Sequence, residues 1–157
     1  MQPRPLPAHL IRRADVPSGL RDSFAKDITY HRMTVAAARA IRLRGVRIEA
    51  SRVGTFGQGF YTATSADAFF GDGEIAAAAR LRHPLVGHAD EIGDQADALA
   101  ARLRPSDPRI TLDLAVRIRR ELVAVGYDGI VVVDAGGDGI DYVIALVDGV
   151  ARVVVDQ

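Results

Sequence analysis

A chain of 157 residues fits one domain and can bury a substantial core, so a single domain over 1–157 is expected. Its 20 basic and 20 acidic residues cancel, which argues against the large positive footprint of a nonspecific nucleic-acid binder and leaves only a local basic patch open. Cysteine is absent, which excludes disulfides, thiolate metal sites and cysteine nucleophiles.

Pro3, Pro5 and Pro7 make residues 1–8 an extended tail, because proline cannot donate to a ladder and favours polyproline geometry. Arginines interrupt the apolar residues here, so no run reaches signal-peptide or membrane-span length. A cytoplasmic protein or a delivered effector, with no membrane partner, is the expectation. DITYHRM, 27–33, reads as a short strand through Ile28, Tyr30 and Met33. Thr34 can cap a helix whose apolar stripe is Val35, Ala38, Ile41 and Leu43, and Gly45 can stop it.

After the glycine-rich stretch RVGTFGQG, 52–59, FYTAT reads as a strand, and SADAFF as a short helix capped by Ser65. Periodicity alone does not decide EIAAAARLRHPLV, 74–86, but Pro84 favours an extended segment with its alanines against a crowded neighbour. Helical spacing follows at Ile92, Leu99 and Leu103, and again over 110–126 at Leu114, Ile118, Leu122 and Val125 before Gly126. Three strands close the chain, over 129–134, 141–147 and 150–155. Asp148-Gly149 between the last two predicts a type I′ hairpin, which needs positive φ at both central positions. The class is α+β.

Three stretches set side by side, TYHRMT (29–34), GTFGQGFYTATSADAFF (54–70) and GIDYVIALVDG (139–149), resemble the ADP-ribosyltransferase fold. The resemblance is to the branch with a His-Tyr-acid signature, which includes diphtheria-like toxins and the poly(ADP-ribose) polymerases. It is carried by Tyr30-His31, Gly45-Val46, Gly57-Gln58-Gly59-Phe60-Tyr61, Ala68-Phe69-Phe70 and Asp141-Tyr142-Val143-Ile144. RHPLV, 82–86, is similar to a segment that ends a middle strand in bacterial and phage members, and GYDGI, 126–130, to a lead-in to the final strands. The matches keep their order over 28–147.

The resemblance implies two small antiparallel or mixed sheets that form an NAD-binding cleft, with flanking helices. It implies cleavage of the nicotinamide–ribose bond of NAD and transfer of ADP-ribose, in single units, to a macromolecular acceptor, protein or nucleic acid. In this reading the carboxylate of Asp141 stabilises the oxocarbenium-like charge on the ribose. Tyr61 stacks on the nicotinamide with Phe69 or Phe70 as the opposing wall. His31 holds a ribose hydroxyl, the main chain of Arg32 grips the carboxamide, and Thr62 lies beside them. Gly57 and Gly59 let the backbone approach the ligand. The family usually has glutamate where Asp141 stands, and a carboxylate displaced by about a bond length can cost roughly a hundredfold in rate. NAD glycohydrolysis and a noncatalytic binding module are the alternatives, and toxin-like use would bring an immunity or antitoxin partner.

Each residue also has a plainer reading. His31 and Tyr61 can be core residues, Asp141 can cap a turn after GGDG with Asp138 as the acid instead, and one of Phe69 and Phe70 faces the core. His9, His83 and His88 lack the spacing of a zinc site, so no metal is expected. Arg117, Arg119 and Arg120 read as a solvated helix face, and Arg52 and Gln58 as residues at the lip of the pocket.

Overall fold

A computed structural model describes residues 4–51, 53–65, 68–103, 112–134 and 139–156. Ten strands and four helices alternate along the described chain: β1 (Leu10–Arg12), α1 (Val16–Gly19), β2 (Thr29–Met33), α2 (Val35–Arg44), β3 (Val53–Gly54), β4 (Gly57–Gln58), β5 (Phe60–Ala63), β6 (Gly73–Ala79), β7 (Pro84–His88), α3 (Ala89–Leu103), α4 (Leu112–Val125), β8 (Gly129–Val133), β9 (Ile140–Ala145) and β10 (Ala151–Val155). The expected α+β class holds, but the expected pair of small sheets does not.

Eight strands form one mixed sheet in the order β1-β10-β6-β2-β5-β9-β8-β7, and β3 pairs with β4 in a separate ribbon. The sheet is continuous because β2 and β5 meet at its centre, although their register is a single pair, Tyr30 with Ala63. By contrast β2 and β6 pair over five residues, and β8 and β9 over a similar length. Side chains reinforce this thin join. The Thr29 hydroxyl donates to that of Thr62 at 2.6 Å, and Thr62 donates to the Val143 carbonyl at 2.7 Å, so β2, β5 and β9 are tied in one buried row.

Alternation along the strands feeds two cores. Phe60 and Ala145 pack with Ile75, Ala77 and Val153 beneath Ala38 of α2. Their neighbours Tyr61 and Ile144 turn to the other face, where Ile92 of α3 and Leu114, Ile118 and Leu122 of α4 lie against Ile130 and Val132. Each large apolar side chain buried there stabilises the fold by about 1.5–3 kcal/mol. Ala77, Ala78 and Ala79 of β6 are buried against their neighbours, as the alanine run leads one to expect, while Ala76 is half-buried.

Thr34 caps α2 as expected, its Oγ1 accepting from the Ala37 N–H at 3.1 Å, and Gly45 ends the helix at φ 89°. The stripe predicted on α2 is only partly buried: Ala38 is covered, while Val35 and Leu43 are 51% and 69% exposed. Val125 at the end of α4 is also exposed. Residues 74–86 divide into β6 and β7, and Pro84 begins β7 rather than ending a strand.

The predicted hairpin at Asp148-Gly149 is not formed. β9 and β10 are not neighbours, since β9 lies between β5 and β8 while β10 lies between β1 and β6. No residue other than glycine has positive φ among the described residues, which rules out a type I′ turn at Asp148. The turn instead carries the chain across the sheet, with the Asp148 carboxylate accepting from the Ile48 N–H at 2.8 Å and Gly149 at φ 87°. Among the described residues, no helix is long and apolar enough to cross a membrane.

Candidate functional site

His31 lies on β2, one residue beyond the join, and alternation points it to the side opposite Tyr30. A carbonyl can only accept, so the contact between His31 Nδ1 and the Tyr61 carbonyl at 2.5 Å places the proton on Nδ1. The ring is bracketed by Phe60 at 5.5 Å and Phe69 at 4.3 Å between centroids. Phe69 also meets Tyr142 of β9 edge-on at 6.4 Å, so one aromatic ring reaches both strands that flank β5. Of the two phenylalanines expected to share this role, Phe69 packs and Phe70 is 94% exposed.

Asp141 is the extra residue of a bulge in β9. Val132 pairs with Tyr142 and Val133 with Ile140, which leaves Asp141 with no partner on β8. Its carbonyl accepts from the Thr64 N–H at 3.2 Å, continuing the ladder beyond β5. The residue is exposed, and among the described residues its carboxylate makes no hydrogen bond or ion pair. His31 and Asp141 therefore sit on the two strands that flank β5, near its C-terminal end. Two strand spacings, about 10 Å, separate their backbones.

Other predicted site residues have their groups committed elsewhere. The Tyr61 ring lies on the α3–α4 face and stacks near Phe56 at 6.5 Å. Its hydroxyl donates to the Gly57 carbonyl at 2.8 Å and accepts from the Phe56 N–H at 2.9 Å, and burial pushes its pKa up to about 12. Gly57, at φ 105°, faces Ile118 of α4, and a Cβ on Gly59 would stand 2.6 Å from the Ile144 side chain. These glycines seat the loop on α4 and β9. Thr62 is buried with its hydroxyl in the row from Thr29 to Val143. Arg32 pairs in register with Glu74, and its side chain approaches that carboxylate at 3.7 Å. Arg52 and Asp138 lie outside the described residues, as do residues 66–67 of the helix predicted over SADAFF.

Gln58 is not at a lip. It is 2% exposed, its amide donates toward the Glu49 carbonyl at 3.3 Å, and its oxygen accepts from Arg119 Nε at 3.0 Å. Arg119 also donates to the Leu146 carbonyl at 3.3 Å, so this arginine is a strut from α4 to the loop rather than part of a solvated face. Helical spacing alone hides that role, because Arg119 follows the buried Ile118 and borders the apolar stripe. Tyr142 is a further site residue whose contact with Phe69 was not legible in the sequence. Two surface cavities of the described residues, about 210 and 300 Å³, lie elsewhere, at Arg12 and Arg152 and between α3 and α4.

Compared with known proteins, the sequence matches no family model, no curated protein and no solved structure.

Proposed function

We propose that the protein is an ADP-ribosyltransferase that breaks the nicotinamide–ribose bond of NAD and passes ADP-ribose, one unit at a time, to a macromolecule. The observation that carries this reading is the pairing of His31, oriented by the Tyr61 carbonyl and faced by Phe69, with the exposed carboxylate of Asp141 on a bulge two strands away. These groups suit a ligand with a flat ring and a ribose. Phe69 offers an aromatic face, the His31 imidazole can hydrogen-bond a ribose hydroxyl, and Asp141 supplies negative charge where the sugar becomes cationic.

In the reaction the C1′–N bond breaks, its electron pair leaves with nicotinamide, and an acceptor heteroatom attacks C1′ and gives up its proton. Asp141 stabilises the sugar cation and His31 fixes the ribose. Tyr61, Gly57, Gly59 and Thr62 support the site by holding the loop and the sheet join in place. With water as the attacking group the same site would be a glycohydrolase.

The test is nicotinamide release from NAD by the purified protein, beside Asp141→Ala, His31→Ala and Phe69→Ala. Release that Asp141→Ala abolishes at an unchanged melting temperature supports the reading. Absence of release, with no melting shift under saturating NAD, sinks it and leaves a noncatalytic module.

A further inference from the structure

The balance of 20 basic and 20 acidic residues conceals a sharp segregation. Residues 28–48 contain five arginines, at 32, 39, 42, 44 and 47, and no aspartate or glutamate. Residues 121–151 contain six acids and no lysine or arginine. The arginine-rich segment runs through β2 and α2 to Arg47, three residues past the end of α2, and α2 buries only one narrow side, through Ala38. Arg39, Arg42, Arg44 and Arg47 are exposed, and among the described residues no carboxylate pairs with any of them. Arg42 donates to the Glu74 carbonyl, which leaves the rest of its guanidinium facing outward. Of the nearby acids, Glu74 is drawn to Arg32, Glu49 lies beyond Arg47, and the Asp148 carboxylate is engaged by the Ile48 N–H.

Two apolar side chains, Val35 and Leu43, are exposed among these arginines. Phe70, the most exposed large hydrophobic among the described residues, sits at the start of the same helix. Gly71, directly after it, lies so close to the Met33 carbonyl that a Cβ there would collide, and Gly73 is packed against Thr34 and Ala38 in the same way. Its neighbour Phe69 covers His31. A bare aromatic ring and the candidate site thus adjoin a helix whose exposed arginines form no ion pair among the described residues.

We infer that the exposed face of α2, with Phe70 at its N-terminal end, docks a single-stranded nucleic acid. The strand supplies both things this surface lacks: regularly spaced phosphates, which arginine grips in a bidentate fashion, and an unstacked base for Phe70. An acidic peptide has no repeat that sets an aromatic ring beside every charge, as each nucleotide does, and a duplex keeps its bases stacked. The helix spans about 15 Å, enough for a site of a few nucleotides. As acceptor of ADP-ribose the strand depends on the transferase reading above, whereas as a ligand of α2 it does not.

The experiment is fluorescence anisotropy of a labelled 12-nucleotide single strand, as DNA and as RNA, titrated without NAD over a range of salt. With three arginines on phosphates the log–log salt slope should be about −2. The triple variant Arg39→Gln, Arg44→Gln, Arg47→Gln should lose that slope and most of the binding, and Arg44→Gln alone should reduce the slope by about 0.7. Phe70→Ala should weaken binding by about 5- to 100-fold at every salt concentration. All these residues are exposed, so melting temperatures should stay at the wild-type value. Absence of binding at low salt, binding by the variants equal to wild type, or equal competition by poly-glutamate would overturn the inference. Because NAD is absent throughout, the outcome is independent of nicotinamide release.

Discussion

Tyr61 stands in the position where an aromatic ring was expected to face a ligand, and its hydroxyl is closed at both lone pair and proton by the loop at 56–57. Tyr61→Phe should therefore cost about 1–2 kcal/mol by urea titration, since it leaves the Phe56 N–H and Gly57 carbonyl to find other partners. Burial raises the Tyr61 pKa from 10.0 to about 12, so the folded state holds this proton where the unfolded chain releases it. Stability is then intact below pH 10, declines as pH rises toward 12, and should decline less steeply in the phenylalanine variant. Thr62→Val should cost about 1–3 kcal/mol, because it strands the buried Thr29 hydroxyl. Asp141→Ala, by contrast, should move stability by less than about 0.5 kcal/mol while removing any NAD cleavage. Residue types at the site were legible in the sequence; which face each occupied was not. One position along a strand reverses the face, and nothing local in FYTAT distinguishes a ring turned toward His31 from one turned toward α4.

At the level of elements, the glycine-rich loop owes its composition to α4 and β9. Gly59→Ala would bring a methyl against Ile144 and the Ala145 carbonyl and should destabilise the fold by about 1–3 kcal/mol in thermal or chemical denaturation. Helix boundaries were readable because caps are local: Thr34, Gly45 and Gly126 stand where α2 and α4 begin or end. Strand partners were not. Asp148-Gly149 between two apolar runs carries a strong hairpin signal, yet β9 belongs to one side of the sheet and β10 to the other. That choice is made by distant strands, β5 and β8 against β1 and β6. Asp148→Ala should remove the tether to Ile48 and lower stability by about 1 kcal/mol without disturbing either strand.

Across the whole molecule, β1 pairs in parallel with β10, Leu10 against Val153, so the first and last of the described strands complete the same side of the sheet. The segment Leu10–Arg12 was too short to be recognised from its own pattern and exists as a strand because β10 offers it an edge. On the ribosome this side of the sheet has to wait for β10, which follows β1 and β6 in the chain. β6 and β2 can pair early, but Val153, which aligns both with Leu10 and with Ala77, is made long after either of them. Such sequence-distant pairings slow folding. Refolding should therefore lag behind that of helical domains of similar size, and a chain ending before Ala151 should leave Ala77 and Ala78 uncovered at a strand edge, prone to self-association.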